Sequence, residues 1–192
     1  MKPFLTAVLV AVSGYSLTAS ADWQLVTDAS TLWFGSIKNH AAGETHRFHN
    51  LSGSIDDDGQ VTIEIAPDSV DTGIEIRDER MLEHVLDASP AITVKAQVAL
   101  DDFTKLTPGD TLATQADTTL QLGQNSVENT AEVFIARLSE EQWLVSADAP
   151  LWITTEALGI EAGIDKLQEL AGLEAITRTS PVGFRLLFRQ AP

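Results

Sequence analysis

Apolar and polar residues alternate along most of this chain, and a period of two predicts strands with one dry face and one wet face. Val61, Ile63 and Ile65 stand on one side of a segment whose other side is Gln60, Thr62 and Glu64. Ile92, Val94, Ala96, Val98 and Leu100 form a second stripe, set against Thr93, Lys95 and Gln97. Trp33, Gly35 and Ile37 alternate with Phe34, Ser36 and Lys38, and further stretches of the same kind run over 112–122, 131–138, 142–147 and 182–189. Turn residues separate them: Asp56-Asp57-Asp58-Gly59, Pro108-Gly109-Asp110 and Gly123-Gln124-Asn125. Seven or eight strands at this spacing predict an antiparallel β-sandwich or barrel.

Two segments break the alternation. Over 74–86, Ile74, Arg77, Met81, Leu82 and Val85 fall near one helical face, with Asp71 or Thr72 ahead of them as a cap. Over 160–173, Ile160, Ile164, Leu167 and Leu170 recur at helical spacing. Two short helices on a β chain suit the covering of barrel ends. No internal repeat or linker divides the chain after its first residues.

Those first residues change the picture of where the protein works. Residues 1–21 carry one basic residue, Lys2, then an uncharged apolar run from Phe4 to Val12, then Ala19-Ser20-Ala21. The run is too short to span a bilayer, and small residues at alternate positions precede polar Asp22. The expectation is a cleavable secretory signal peptide over 1–21, a single domain over 22–192, and a periplasmic location. No later segment is long and apolar enough for stable membrane insertion. There is no cysteine, so stability rests on burial and backbone pairing, and thiol chemistry is excluded. With 12 Lys and Arg against 28 Asp and Glu, the net charge of −16 makes nucleic acid and anionic membrane surfaces poor partners. The composition is compatible with a homodimer.

Catalytic signatures are missing. No G-x-S-x-G stretch or phosphate-cradling glycine loop occurs. His46 and His49 lie three apart on an extended segment and so point to opposite faces, a poor grip for one metal ion. Asp56 to Gly59 resembles part of a calcium loop but lacks the bidentate Glu at the required offset. The expectation is a protein that is not an enzyme and needs no metal or cofactor. The alternatives are an enzyme or metal-dependent accessory using His40, His46 and His49, and a fully packed barrel acting through interactions.

The most specific stretch runs from Ser69 to Leu82, SVDTGIEIRDERML. It resembles the S-[IV]-D-T-G-x-x-x-R-D-x-x-[ML] signature of the YceI-like family of bacterial periplasmic proteins. Pro90 to Ala96 is similar to that family's P-x-I-x-F-x-S strand, and Leu158-Gly159-Ile160 to its F-G-I stretch. The chain departs from the family at 119–125, where a hairpin signature is altered, and at Thr154-Thr155, where an arginine-serine pair is usual. The resemblance implies an all-β, eight-stranded, antiparallel, lipocalin-like barrel whose elongated lumen holds an isoprenoid-tailed lipid or quinone.

On that reading the lumen candidates are Trp33, Val61, Ile63, Ile65, Ile92, Val94, Val98, Trp152, Phe184, Leu186 and Phe188. A one-residue shift would exchange the two faces of any strand. Arg77 and Arg80 are the candidates for contact with a ligand head group, and Arg77 with Asp78 equally suits a salt bridge holding the helix to the rim. Inward stripes rich in Val, Ile, Ala and Thr leave apolar volume in a barrel of this size. The opposite reading has Trp33, Trp143, Trp152, Phe134, Phe184 and Phe188 filling it. The acidic surface favours a neutral head, such as a quinone, over a diphosphate at low salt.

Overall fold

The computed structural model describes residues 21–86 and 91–191. The expected signal peptide lies outside them, except for Ala21 at the start of the first strand. Twelve strand segments are seen: β1 (Ala21–Leu25), β2 (Thr31–Lys38), β3 (Ala42–Phe48), β4 (Leu51–Asp56), β5 (Gln60–Ile65), β6 (Val70–Asp71), β7 (Ile92–Gln97), β8 (Thr111–Leu122), β9 (Asn125–Ser139), β10 (Gln142–Ala147), β11 (Leu151–Thr154) and β12 (Thr179–Gln190). Three helices accompany them: α1 (Glu75–Met81), α2 (Leu100–Thr104) and α3 (Glu161–Ala171).

Several segments are halves of one bent strand. β12 pairs with β1 through Leu25↔Phe188 and with β2 through Phe34↔Val182, so β1 and β2 follow one edge in succession. β3 pairs with β2 and β4 with β1; β5 then pairs with β4 and β6 with β3. β10 and β11 share the other edge of β12. Counted this way, eight antiparallel strands form a meander whose last member closes on its first, a barrel without the free sheet edge an open sandwich would have.

The inward face is a set of rings in register. Ile65 lies opposite Ile92, which lies opposite Leu122; one step along, Ile63, Val94 and Leu120 repeat the arrangement. Ala116 faces Ala131, and Leu112 faces Ile135, across β8 and β9. α1 continues through one wider turn to Leu86 and, with α3, lies over the end of the barrel where the β2–β3 hairpin turns. The fit is close. A Cβ on Gly163 of α3 would come 2.2 Å from the carbonyl oxygen of His84, so backbone meets backbone there. No helix among the described residues is long and apolar enough to cross a membrane.

Two sequence-based details need correction. The alternating stripe through Leu100 stops at Gln97, and a third helix, α2, takes over at Leu100. Leu100, Phe103 and Leu106 also fit a helical period, an ambiguity inherent in short apolar runs. Neither Asp71 nor Thr72 caps α1 through its side chain; Ile74 holds the cap position. Instead Asp78 reaches back from the helix and accepts from the Thr72 backbone N–H (2.8 Å) and hydroxyl, while Asp71 accepts from Gly73 N–H (2.7 Å).

Candidate functional site

The barrel encloses a cavity of about 750 Å³. Its wall is the aliphatic ring set just described, together with Ile160, Ile164 and Leu167 from the α3 end. The inward strands carry few bulky groups at mid-height: Ala96, Ala116 and Ala131 all line the space. A closed sheet with small residues inside cannot fill its own interior.

Aromatic residues form a floor at the end away from α1. Trp143, 5% exposed, meets Trp23 edge-on with ring centroids 5.8 Å apart and Phe103 at 6.2 Å. The Arg137 guanidinium lies 4.3 Å from the Trp143 ring centroid and is tied to the Glu140 carbonyl through Nη2 at 2.6 Å. A buried cation over an indole, with a carbonyl acceptor, makes a rigid plug.

The α1 end is the mouth. Ile74 and Ile76 line the cavity, yet they are 49% and 50% exposed, so their side chains stand at an opening. The strand wall is incomplete at one place, and Leu100, Asp102 and Phe103 of α2 also line the cavity. β8 pairs with β7 only over Thr118–Leu122, and its lower part has no β7 partner among the described residues. Thr114, on the inward parity of β8, is accordingly exposed.

One strip of the lumen wall is polar, and it is graded. From floor to mouth, β2 and β3 present Leu32 opposite Phe48, Phe34 opposite His46, and Ser36 opposite Glu44, with Lys38 last. Glu44 takes both nearby cations: Lys38 Nζ at 2.9 Å and Arg77 Nη1 at 2.7 Å. The hydrogen bond from Lys38, helped by Arg77, holds its carboxyl below the usual range against the opposing effect of burial. Arg77 also donates to the Thr72 carbonyl oxygen. It therefore pins α1 to the rim and lines the cavity at once, and Arg80 lines the mouth beside it.

Solved structures resemble this architecture. A polyisoprenoid-binding domain from Saccharophagus degradans, implicated in plant cell wall breakdown, superposes with a TM-score of 0.87 at 32% identity, covering 90% of this chain and all of that one. The chain belongs to the YceI-like family. BcnA from Burkholderia cenocepacia (TM-score 0.63, 16% identity, 85% of this chain and 98% of that one) shares the fold, as does a mutant YceI protein made for nanotechnology applications (0.55, 14%, 77% and 85%). No family model matches the sequence, and no curated protein does.

Within this YceI-like barrel, two of the stretches where the sequence resembles or departs from the family pattern touch each other. Gly159 has φ +67°, and a Cβ on it would lie 2.6 Å from Asn125 Nδ2, at the turn between β8 and β9. The left-handed conformation and the crowding both require glycine there.

Of the residues expected in the lumen, Val61, Ile63, Ile65, Ile92, Val94, Val98, Phe184, Leu186 and Phe188 line the cavity. Trp33 and Trp152 do not. Trp33 is outside, its indole lying where a Cβ of Gly183 would be, 2.3 Å from Cζ2. Trp152 is 63% exposed on the outer face of β11, and its neighbours Leu151 and Ile153 point inward. Both sit in runs with apolar residues on either parity, Leu32-Trp33-Phe34 and Leu151-Trp152-Ile153, where alternation carries no information. With Phe134 also 37% exposed, half of the six aromatics that could have plugged the barrel are outside it.

The histidines are dispersed. His40 sits in the β2–β3 turn with φ +65°, 3.8 Å from Glu174; His49 is outside, 2.9 Å from Asp71. No group of three or more metal-ligating side chains occurs among the described residues. His46 alone enters the lumen, where it is 3% exposed, a role the sequence left undistinguished from that of His49.

Burial depresses the His46 pKa below its ordinary 6.5, and the nearby Arg77 charge adds to this against the opposite pull of Glu44, Asp78 and Asp71. Its stabilising contribution is therefore intact above 6.5 and is lost as pH falls through the folded value, because the unfolded chain takes up the proton first. Denaturation midpoints of the wild type should fall on acidification below 6.5, and the His46→Gln protein should show a flatter dependence over the same window. Parallel slopes for the two proteins would contradict this.

Proposed function

We propose that this protein is a non-catalytic carrier that holds an isoprenoid-tailed lipid or quinone in its lumen, tail toward the Trp143 floor, and that it works in the periplasm after export. The observation that carries the reading is the unfilled, mostly apolar cavity of about 750 Å³ inside a closed barrel, with its charged pair layer of Lys38, Glu44 and Arg77 at the mouth. An apolar cavity of about 150 Å³ takes one benzene, so this one has room for on the order of 30 carbon atoms. At roughly 0.8 kcal/mol per buried CH₂, a tail of that kind outweighs the cost of ordering it. The name of the Saccharophagus relative, a polyisoprenoid-binding domain, supports the same class of guest. The leader-like residues 1–21 support export.

The head group should be neutral. Lys38 and Arg77 are both already held in hydrogen bonds by Glu44, and the chain as a whole is strongly acidic, which disfavours a diphosphate. Native mass spectrometry of gently purified protein, followed by lipid extraction, is expected to give a co-purifying isoprenoid. Quinones or prenols offered to the stripped protein should bind more tightly than prenyl diphosphates at low salt, with the gap narrowing as salt rises. A protein that purifies empty and takes up none of these would overturn the carrier.

A further inference from the structure

A buried ring nitrogen in the lumen wall has nothing to bond. His46 is 3% exposed, its Nε2 lies 2.9 Å from Ser36 Oγ, and its Nδ1 has no hydrogen-bond partner. The ring lines the cavity, with the Phe34 ring centroid 5.1 Å away. Arg77 Nε, also in the cavity wall, is a second buried atom without a partner. Buried polar atoms in native proteins are nearly always paired, and an unpaired one on a side chain of a cavity wall points to a partner brought by what occupies the cavity.

We propose that His46, oriented by Ser36, is the head-group subsite of the lumen: Nδ1 forms a hydrogen bond to a neutral hydroxyl or carbonyl oxygen at the head of the bound isoprenoid. This rests on the carrier reading and adds a specific contact to it. The grading of the wall sets the depth. Below His46 the wall is Phe48 and Leu32, fit only for hydrocarbon; above it, Glu44 and its two cations form a closed ion-pair layer. A single neutral oxygen fits the level between them and leaves the Lys38–Glu44–Arg77 pairing intact. Ser36 also decides which proton Nδ1 has. If its hydroxyl donates to Nε2, Nδ1 carries the hydrogen and serves a hydroxyl or a carbonyl; if it accepts, Nδ1 is an acceptor and serves a hydroxyl alone.

The test uses the protein lacking its leader and three probes with one tail: geranylgeraniol, the corresponding aldehyde, and the hydrocarbon without oxygen. In His46→Phe the affinity for the alcohol should fall about five- to tenfold, the worth of one hydrogen bond, and that for the hydrocarbon should stay within about twofold. His46→Gln should recover part of the alcohol's loss. In the wild type, the ¹⁵N resonance of His46 Nδ1 should move when the alcohol binds and stay when the hydrocarbon binds, a readout that needs no variant to fold. An aldehyde that behaves like the alcohol assigns the proton to Nδ1; an aldehyde that behaves like the hydrocarbon assigns it to Nε2, and both accord with the subsite. Equal losses of alcohol and hydrocarbon in His46→Phe, or no loss of either, would overturn it while leaving the carrier standing. A wild type that binds none of the three sinks the carrier reading and this inference together.

Discussion

Replacing Ala131 with tryptophan is expected to abolish ligand binding and leave the barrel folded. Ala131 is 1% exposed, faces Ala116 across the β8–β9 pair, and lines the cavity. An indole from this inward position projects toward the cavity, which lowers the usual penalty for overpacking a filled core. It does exclude guest. Displacing roughly one isoprene unit of five carbons forfeits about 4 kcal/mol at about 0.8 kcal/mol per CH₂, close to a thousandfold in Kd. Titration with a prenol or quinone measures the loss, and thermal denaturation of the empty protein provides the control. A variant that stays folded and keeps near-wild-type affinity would mean that the guest does not occupy the lumen.

The largest effect on stability is expected at Phe188. It is 2% exposed, the largest fully buried side chain among the described residues, and it lies opposite Leu25 on β1 and Trp143 on β10, where the barrel closes. Phe188→Ala should cost about 3–5 kcal/mol, because the cavity beside it prevents the neighbours from collapsing into the space left behind. Urea denaturation should give a lower midpoint with an unchanged slope. Phe134→Ala, on the outer face and 37% exposed, should cost under about 1 kcal/mol by the same measurement. The contrast matters because residue type is identical and only the parity on the strand differs.

That parity explains what could be read from the sequence. In β5, every second residue is Gln, Thr or Glu, so Val61, Ile63 and Ile65 have only one side to occupy. The SVDTGIEIRDERML stretch likewise points to its own structure: Arg77 and Asp78 tie the helix to the rim through Glu44 and Thr72. Where the outside of the wall is also apolar, the contrast vanishes. Trp33 covers the Gly183 position from outside, a contact between residues 150 apart in number that local alternation cannot register. His46 was hidden for a related reason. Three histidines within ten residues read as a surface cluster, and only the pairing of Phe34 with His46 turns one of them inward. The small residues of the inward stripes point to spare volume, but its size is a property of the closed tube rather than of any strand.

The distribution of indoles gives the protein its own optical gauge. Of its four tryptophans, Trp23 and Trp143 look into the bottom of the lumen, whereas Trp33 and Trp152 are on the exterior. A guest long enough to touch the aromatic plug perturbs the emission of the first pair and leaves the second as a constant background. Substituting Trp33 and Trp152 by phenylalanine removes that background. Light emitted by the remaining pair then reports how far down the tube each tail extends, without any label attached.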